Sequence, residues 1–483
     1  MELEKLEDPS TVRKNQDSKN GKVSIPEKVT SFAIQDDPIS DDSDERPAGS
    51  GSTYHKKATV VSAILASLTN IMAYSIIAVF YPIEAKERGV SETVIGLIFA
   101  SYSISTAVGS PIIGKIIPIA GARFVFLAGS FITGGCNILF GFIIDMPTTA
   151  TFTVFSFAIR ILEGIGAAAS LTATTAIVAA ALPDDVGKAV SLIEMTNGVS
   201  YALGPALGGF LYNAGGFPVP FFVLGGIVLA INAVNFFLMP EQGNQTEECG
   251  SVSSLLSIPA VWIALFVNFI GFATFSSLEP TFAIYLEELD FTVIQISLLF
   301  VTLGLAYGFS SVVCGVIADS KKCPRALIAV GECGGGLLFL LFGLSELLKS
   351  PAIKVLAGVL IVLSAAMLSL LAAPSFIDML SSAEWYGIPS GLGLTSLLSG
   401  LWNSAYAVGT VAGPLVGGAV VEYYGFGYLS ITIAGCCFLA LVVSSLFGVW
   451  EYRCGRGRRE PNKESSSPRD SSKDQQARLL SSN

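Results

Sequence analysis

Residues 204–217 read Gly204-Pro205-Ala-Leu-Gly208-Gly209-Phe-Leu-Tyr-Asn-Ala-Gly-Gly216-Phe217, and residues 413–426 read Gly413-Pro414-Leu-Val-Gly417-Gly418-Ala-Val-Val-Glu-Tyr-Tyr-Gly425-Phe426. The Gly-Pro pair, the Gly-Gly pair and the closing Gly-Phe all return between position 204 and position 413, an offset of 209. Gly114-Lys115 has a counterpart in Gly315 at an offset of 201. Correspondences at nearly one spacing imply a chain built twice. Glycines let a neighbouring helix approach closely, and a proline removes a backbone donor and permits a bend. Plain tight packing would use the same residues.

The surroundings of these runs are apolar. The chain has 483 residues, 52% of them hydrophobic and 14% charged, with a mean hydropathy of +0.64. A soluble domain carries about 25% charged residues. The tails hold most of the basic charge, which leaves 11 basic and 22 acidic residues in the 395 positions 58–452. Only a bilayer solvates so much apolar surface. Nucleic-acid binding, a secreted disulfide scaffold and a soluble enzyme all fit poorly. Apolar stretches of about 20 residues, each able to cross as a helix, number twelve: 58–81, 93–117, 124–144, 151–181, 189–213, 218–239, 258–283, 292–317, 326–347, 353–380, 391–420 and 428–450. Pro82, Pro147, Pro183, Pro240, Pro324 and Pro351 mark boundaries.

The pattern predicts an all-α membrane protein. Twelve transmembrane helices form two pseudo-symmetric six-helix bundles, 58–239 and 258–452, joined by a linker at 240–257. Residues 1–57 and 453–483 read as disordered tails, rich in Ser, Asp, Lys and Arg. Twelve basic residues flank the spans on the side of the tails and four flank them on the other, so both termini are expected in the cytoplasm. Leu479-Leu480 follows Asp474 as in an acidic-dileucine sorting signal, one residue out of register, so a sorting adaptor and accidental composition both stay open. The eight cysteines show no metal spacing and read as buried small hydrophobes. No cofactor is implied.

Several motifs carry a resemblance. Gly315-Val-Ile-Ala-Asp319-Ser-Lys321-Lys322 after span 8 is similar to the Gly-x-Leu-Ala-Asp-Arg loop of the major facilitator superfamily. Its first-half copy keeps Gly114, Gly121 and Arg123 but has Pro118 in place of the Asp. Arg160-Ile-Leu-Glu163-Gly164 resembles the fourth-span motif linked to proton coupling, and Gly198 to Gly209 resembles the antiporter signature of the fifth span. Within the superfamily the chain looks like the vesicular amine transporters, through Gly96 to Gly114, Leu278-Glu279-Pro280 and Gly409 to Gly418. Thr69, Tyr102, Ser369 and Asn403 stand where the monoamine and acetylcholine members carry charged residues. Glu163, Glu194 and Glu279 instead match acids of the polyamine-type member. The resemblance implies a major facilitator fold, exchange by alternating access, a vesicular location with the plasma membrane as alternative, and a monomer.

Charge at membrane depth costs about 2.5–3.5 kcal/mol on insertion scales, so each such residue wants a reason. One base, Arg160, lies there against the acids Glu163, Glu194, Glu279, Glu332 and Asp378. Surplus carboxylates attract cations. Arg160 and Glu163 share a helix face, as a structural pair or as a pair that a proton opens. Glu279 precedes Pro280, where freed carbonyls suit an ammonium group, or it is a helix-end acid facing water. Glu194 either lines the passage or sits near an interface. Glu332 is expected near Lys321, Lys322 and Arg325. Tyr74, Tyr102, Tyr307, Trp402 and Tyr406 offer π-faces to an alkylammonium, and Asn70, Asn197 and Asn403 are amides that want partners. The candidate substrate contacts are thus Glu163, Glu194, Glu279, Tyr102, Asn403, Tyr406 and Asn70, and proton coupling falls to Arg160, Glu163 and Glu279. The gate motifs are Gly114, Gly121, Arg123, Gly204, Pro205, Gly208, Gly209, Gly315, Asp319, Lys321, Gly413 and Pro414. The lone histidine, His55, lies in the N-terminal tail, so carboxylates would carry any coupled proton. These residues point to exchange of protons for an organic cation, most of all a polyamine. A carrier of the same fold for monoamines, drug-like cations or another solute is one alternative, and a non-transporting receptor or scaffold is another.

Overall fold

The computed structural model describes residues 48–239, 251–347 and 353–454. The rest of both tails, most of the linker, Leu479-Leu480, and the side chains of His55, Pro205 and Glu279 lie outside the described residues. Fourteen α-helices are described: α1 (Ala48–Ser75), α2 (Ile77–Glu87), α3 (Glu92–Ala120), α4 (Ala122–Gly141), α5 (Thr149–Ala181), α6 (Val186–Gly215), α7 (Pro218–Leu238), α8 (Val252–Leu256), α9 (Pro259–Glu288), α10 (Val293–Lys321), α11 (Pro324–Leu347), α12 (Ile353–Trp385), α13 (Leu392–Tyr424) and α14 (Phe426–Cys454). Helices satisfy their own backbone, which is what lipid demands.

Twelve spans account for these helices once α1 and α2 are read as one and the five-residue α8, which precedes α9, is set aside. They join through Ile76, whose backbone stays helical at φ −62° and ψ −34°. Pro82, expected to end span 1, lies inside α2 instead. Ten described helices are long and apolar enough by themselves to cross a membrane. The other two spans fall short for separate reasons. The apolar stretch Thr59–Ser75 is short, and α6 carries Lys188, Glu194, Thr196 and Asn197 within its first four turns. Of these, Glu194 and Thr196 are buried and Lys188 is exposed at the start of the helix.

Successive spans alternate in direction. One apolar cluster holds Val60, Ile117, Ala122, Ile177, Ala189 and Met239, the ends of six first-half spans on the termini-bearing side. Another holds Ile76, Tyr81, Ile95, Phe140, Phe152 and Phe221 on the opposite side of the same half. The second half has its opposite-side core around Phe282, Tyr285, Phe342 and Phe426, drawn from that half alone. On the termini-bearing side the core is shared. Ala179, Val186 and Val190 of the first half pack with Ile258, Phe376, Leu397 and Trp402 of the second.

Two helix pairs make this closure, α3 with α13 and α6 with α10. A Cβ at Gly400 would lie 2.5 Å from the Ser110 carbonyl oxygen, and one at Gly114 would lie 2.7 Å from the Ser396 carbonyl oxygen. One at Gly198 would come 2.9 Å from the Gly304 carbonyl oxygen. Ser404 donates to the Ala107 carbonyl at 2.7 Å. The Gly-Pro runs act within each half. Gly204 abuts Ser75 of α1, and Gly413 abuts Ser276 and Ala273 of α9. Gly209 and Gly418 have open space where a side chain would stand, so close approach does not account for them.

Gly400→Ala is expected to disfavour the closed arrangement, because the methyl group meets backbone that cannot rotate away. Spin labels at Lys115 and Ser390, both exposed on the termini-bearing side, should report a longer distance in the variant than in the parent protein. Equal distances would contradict the closure described.

Candidate functional site

The termini-bearing ends of α6 and α10 are tied by one carboxylate. Gly187 N donates to Asp319 Oδ1 at 2.8 Å and Lys188 N donates to Asp319 Oδ2 at 2.7 Å. Asp319 thus caps the first turn of α6, where free amides and the helix dipole favour an anion. Beside it, Gly315 leaves no room for a Cβ against Ser191 and the Gly187 carbonyl. The related first-half position has Pro118, inside α3, and α13 starts after Gly391 with no side-chain cap. One seam is therefore closed by a charged cap as well as packing, the other by packing and the Ser404 bond to the Ala107 carbonyl. Lys321 is exposed. Arg123 turns to the Phe236 carbonyl and ring within its own half, so it makes none of the cross-half bonds described here. Gly121 ends α3 with φ +87°, a conformation that glycine adopts freely. Gly208 is buried in α6.

Deeper in the first half lies a buried ion pair. Arg160 Nη1 donates to Glu163 Oε2 at 2.8 Å, and Asn137 Nδ2 of α4 donates to Glu163 Oε1 at 3.0 Å. The two residues are 1% and 2% exposed. The guanidinium lies 4.5 Å from the Tyr102 ring centroid and 5.4 Å from that of Tyr74. Arg160 Nε and Nη2 have no acceptor among the described residues. Glu163 is thus neutralised where it stands. Asn70 donates to Ser130 at 3.2 Å, inside the first half.

Glu194 has a different environment. Tyr307 of α10 donates its hydroxyl to Glu194 Oε2 at 2.7 Å. Asn197 Nδ2, one turn along α6, donates to Oε1 at 3.2 Å, and Ser67 of α1 donates to Asn197 Oδ1 at 3.4 Å. Glu194 is 1% exposed and its described partners are neutral. One turn further from the termini-bearing side a narrow cleft opens between the halves, lined by Gly198, Tyr201 and Ala202 of α6, Phe275 and Leu278 of α9, and Phe300, Leu303 and Gly304 of α10. Glu279 follows Leu278 in α9. Tyr201 and Tyr406 share a hydroxyl contact across the halves, Tyr74 meets Tyr102 at 4.5 Å and Tyr201 at 6.2 Å between centroids, and Tyr406 meets Phe272 at 4.4 Å. Asn403 donates to Ser399 O of its own helix at 2.9 Å.

The two remaining acids lie elsewhere. Glu332 is fully buried on Ser444 of α14 at 2.8 Å, and not on Lys321, Lys322 or Arg325, because its face of α11 packs on α14. Asp378 takes Arg325 at 2.9 Å, and Glu451 shares that guanidinium. Among the described residues no group of three or more His, Cys, Asp or Glu is placed to hold a metal.

Residues 63–398 match the family model described as Major Facilitator Superfamily. The chain belongs to that superfamily. It is 32% identical over 403 residues to the MFS-type transporter SLC18B1 of Mus musculus, covering 83% of this chain and 88% of the relative. It is 26% identical over 381 residues to the synaptic vesicular amine transporter of Mus musculus, covering 74% and 68%. The solved structure of the human organic anion transporter MFSD10 (TETRAN) superposes with a TM-score of 0.60 at 18% identity, covering 80% of this chain and 99% of that one. That likeness speaks to the fold alone. The chain is a multi-pass integral membrane protein.

Breaking a buried ion pair costs about 3–5 kcal/mol because one charge is stranded, whereas removing both partners together costs far less. Glu163→Leu is expected to lower stability in that range, and Arg160→Leu with Glu163→Leu to sit closer to the parent than either single change. Thermal unfolding of the purified protein in detergent measures both. Additive losses in the double variant would contradict the pairing.

Proposed function

We propose that this protein is a proton-coupled antiporter that moves organic cations, polyamines such as spermidine foremost, from cytoplasm into an acidic vesicle. The observation that carries this reading is Glu194, a buried carboxylate at the meeting of the two halves, held by neutral groups and adjacent to the cleft. An ammonium group entering the cleft would complete its charge. Glu279, next along α9 from a lining residue, is the second acid assigned to the substrate, and the rings of Tyr102, Tyr406 and Tyr201 supply π-faces. Glu163 and Arg160 are assigned to proton coupling, since a proton on Glu163 would release the guanidinium. Asn70 and Asn403 are assigned to the substrate passage as polar lining.

The excess of basic residues on the side of the termini supports a cytoplasmic position for both. The closed side described above is then the cytoplasmic one, and the cleft belongs to a conformation turned towards the lumen. Alternating access is the rocking of one bundle against the other around a site near the midplane. One unit of pH gradient supplies about 1.4 kcal/mol per proton, and membrane potential adds about 2.3 kcal/mol per charge per 100 mV. The relatives named above include a vesicular amine transporter, which supports the amine class. A second reading, an amine with an apolar body, is favoured by Phe275, Leu278, Phe300 and Leu303 in the cleft lining.

Labelled spermidine is expected to enter proteoliposomes that are acidic inside and to stop entering when the gradient is collapsed. Glu194→Gln should reduce the rate about tenfold or more, the order expected for loss of a charged hydrogen-bonding partner. A panel of amines in the same assay separates the two readings by rank order. Flux indifferent to the gradient, or to Glu194→Gln, would contradict the proposal.

A further inference from the structure

The two oxygens of Glu194 are filled from different bodies. Asn197, which serves Oε1, belongs to the same helix as Glu194, and its own Oδ1 is held by Ser67 of the same half. Tyr307, which serves Oε2, belongs to α10 of the other half. The bonds Ser311 to Ser191 O at 3.3 Å and Gly187 and Lys188 to Asp319 lie on the same seam, nearer the termini. When the halves part on the termini-bearing side, α10 leaves α6 and carries Tyr307 with it. The bond to Oε1 survives that movement and the bond to Oε2 does not.

A second observation concerns where the tyrosine hydroxyl can go. Tyr307 also lines a small space inside the second half, with Asn268, Gly271, Phe272, Leu368, Leu371 and Ala372. Asn268 is fully buried and donates to Trp402 O at 2.9 Å, and its Oδ1 has no donor among the described residues. An unsatisfied buried acceptor is costly, and a hydroxyl is the donor it lacks. Tyr307 and this unsatisfied acceptor line the same small space, on the side of the ring away from the first half.

We propose that Tyr307 is the release residue of the carrier: closure of the termini-bearing side drives its hydroxyl onto Glu194 Oε2 and so displaces the bound ammonium towards the opposite side. The inference rests on the reading of Glu194 as a cation contact and adds a residue to it. A carboxylate with Oε2 free binds an ammonium more tightly than one whose Oε2 already accepts a hydrogen bond. A carrier needs such a difference between its two states, because a ligand and a conformation are coupled only through differential affinity. Tyr307 supplies it mechanically, by moving with the opposite half.

The test uses the full-length protein in membrane vesicles of native orientation, with labelled spermidine as probe. Tyr307→Phe keeps the ring, which packs at 5.7 Å from Phe275, and removes only the hydroxyl. It is expected to lower the half-saturating spermidine concentration on the side opposite the termini about tenfold, the lower range for a hydrogen bond to a charged group. Net uptake should slow because release slows. Ser311→Ala removes a different cross-half bond and leaves Glu194 alone. If it acts at all it should raise that half-saturation, by depopulating the closed state. An unchanged half-saturation in Tyr307→Phe, or an equal decrease in both variants, would overturn the release role while leaving the transport reading intact. Absence of spermidine flux in the parent protein, or flux indifferent to Glu194→Gln, would remove the cation site and this inference with it.

Discussion

The closest approach between the two halves is set by glycines that cannot be replaced without overlap. Gly400 against Ser110, Gly114 against Ser396, and Gly198 against Gly304 bring backbone to backbone across α3–α13 and α6–α10. Lipid gives helices no hydrophobic reason to associate, so such surfaces must pack well to hold. Everything else about this conformation follows from where that packing stops. On the termini-bearing side the apolar core is shared by both halves. On the other side each half keeps its own, and the cleft lies at the transition.

At that transition polar chemistry becomes affordable. Glu194, Tyr307, Tyr201 and Tyr406 meet there from α6, α10 and α13, and their bonds cross the seam between the halves. Asp319 adds a charged cap at the end of the same seam. The first half contributes a second acid, Glu163, in a different electrical condition, already matched by Arg160 and Asn137. Two acids of the same type are thus separated into a neutralised pair and a carboxylate whose described partners carry no charge. That separation is what a device exchanging protons for cations would use.

Much of this architecture is legible in the sequence. Apolar length gives the spans, and the recurrence of Gly204-Pro205 as Gly413-Pro414 gives the two-fold construction. The chemistry of that repeat also carries over: both glycines abut a serine of the first span of their own half. Asp319 is visible as a motif, though its partner, the start of α6, is not. What the sequence leaves hidden is rotation. Tyr307 and Asn197 are readable as polar or aromatic groups inside spans, but their meeting on Glu194 depends on how α6 and α10 turn towards each other. The same holds for Asn137 on Glu163 and Ser444 on Glu332. Periodicity marks a helix face and does not say which helix it meets. Pro82 misleads for a local reason, since the chain continues as helix on both sides of it.

The central claim is that Glu194 draws a cation into the cleft beside α6. Ala202 lines that cleft, and a cysteine placed there in a background without native cysteines would report occupancy. Its modification by a charged methanethiosulfonate reagent should be slowed by spermidine in a saturable way, and the slowing should vanish with Glu194→Gln. A modification rate that spermidine leaves untouched would contradict the account.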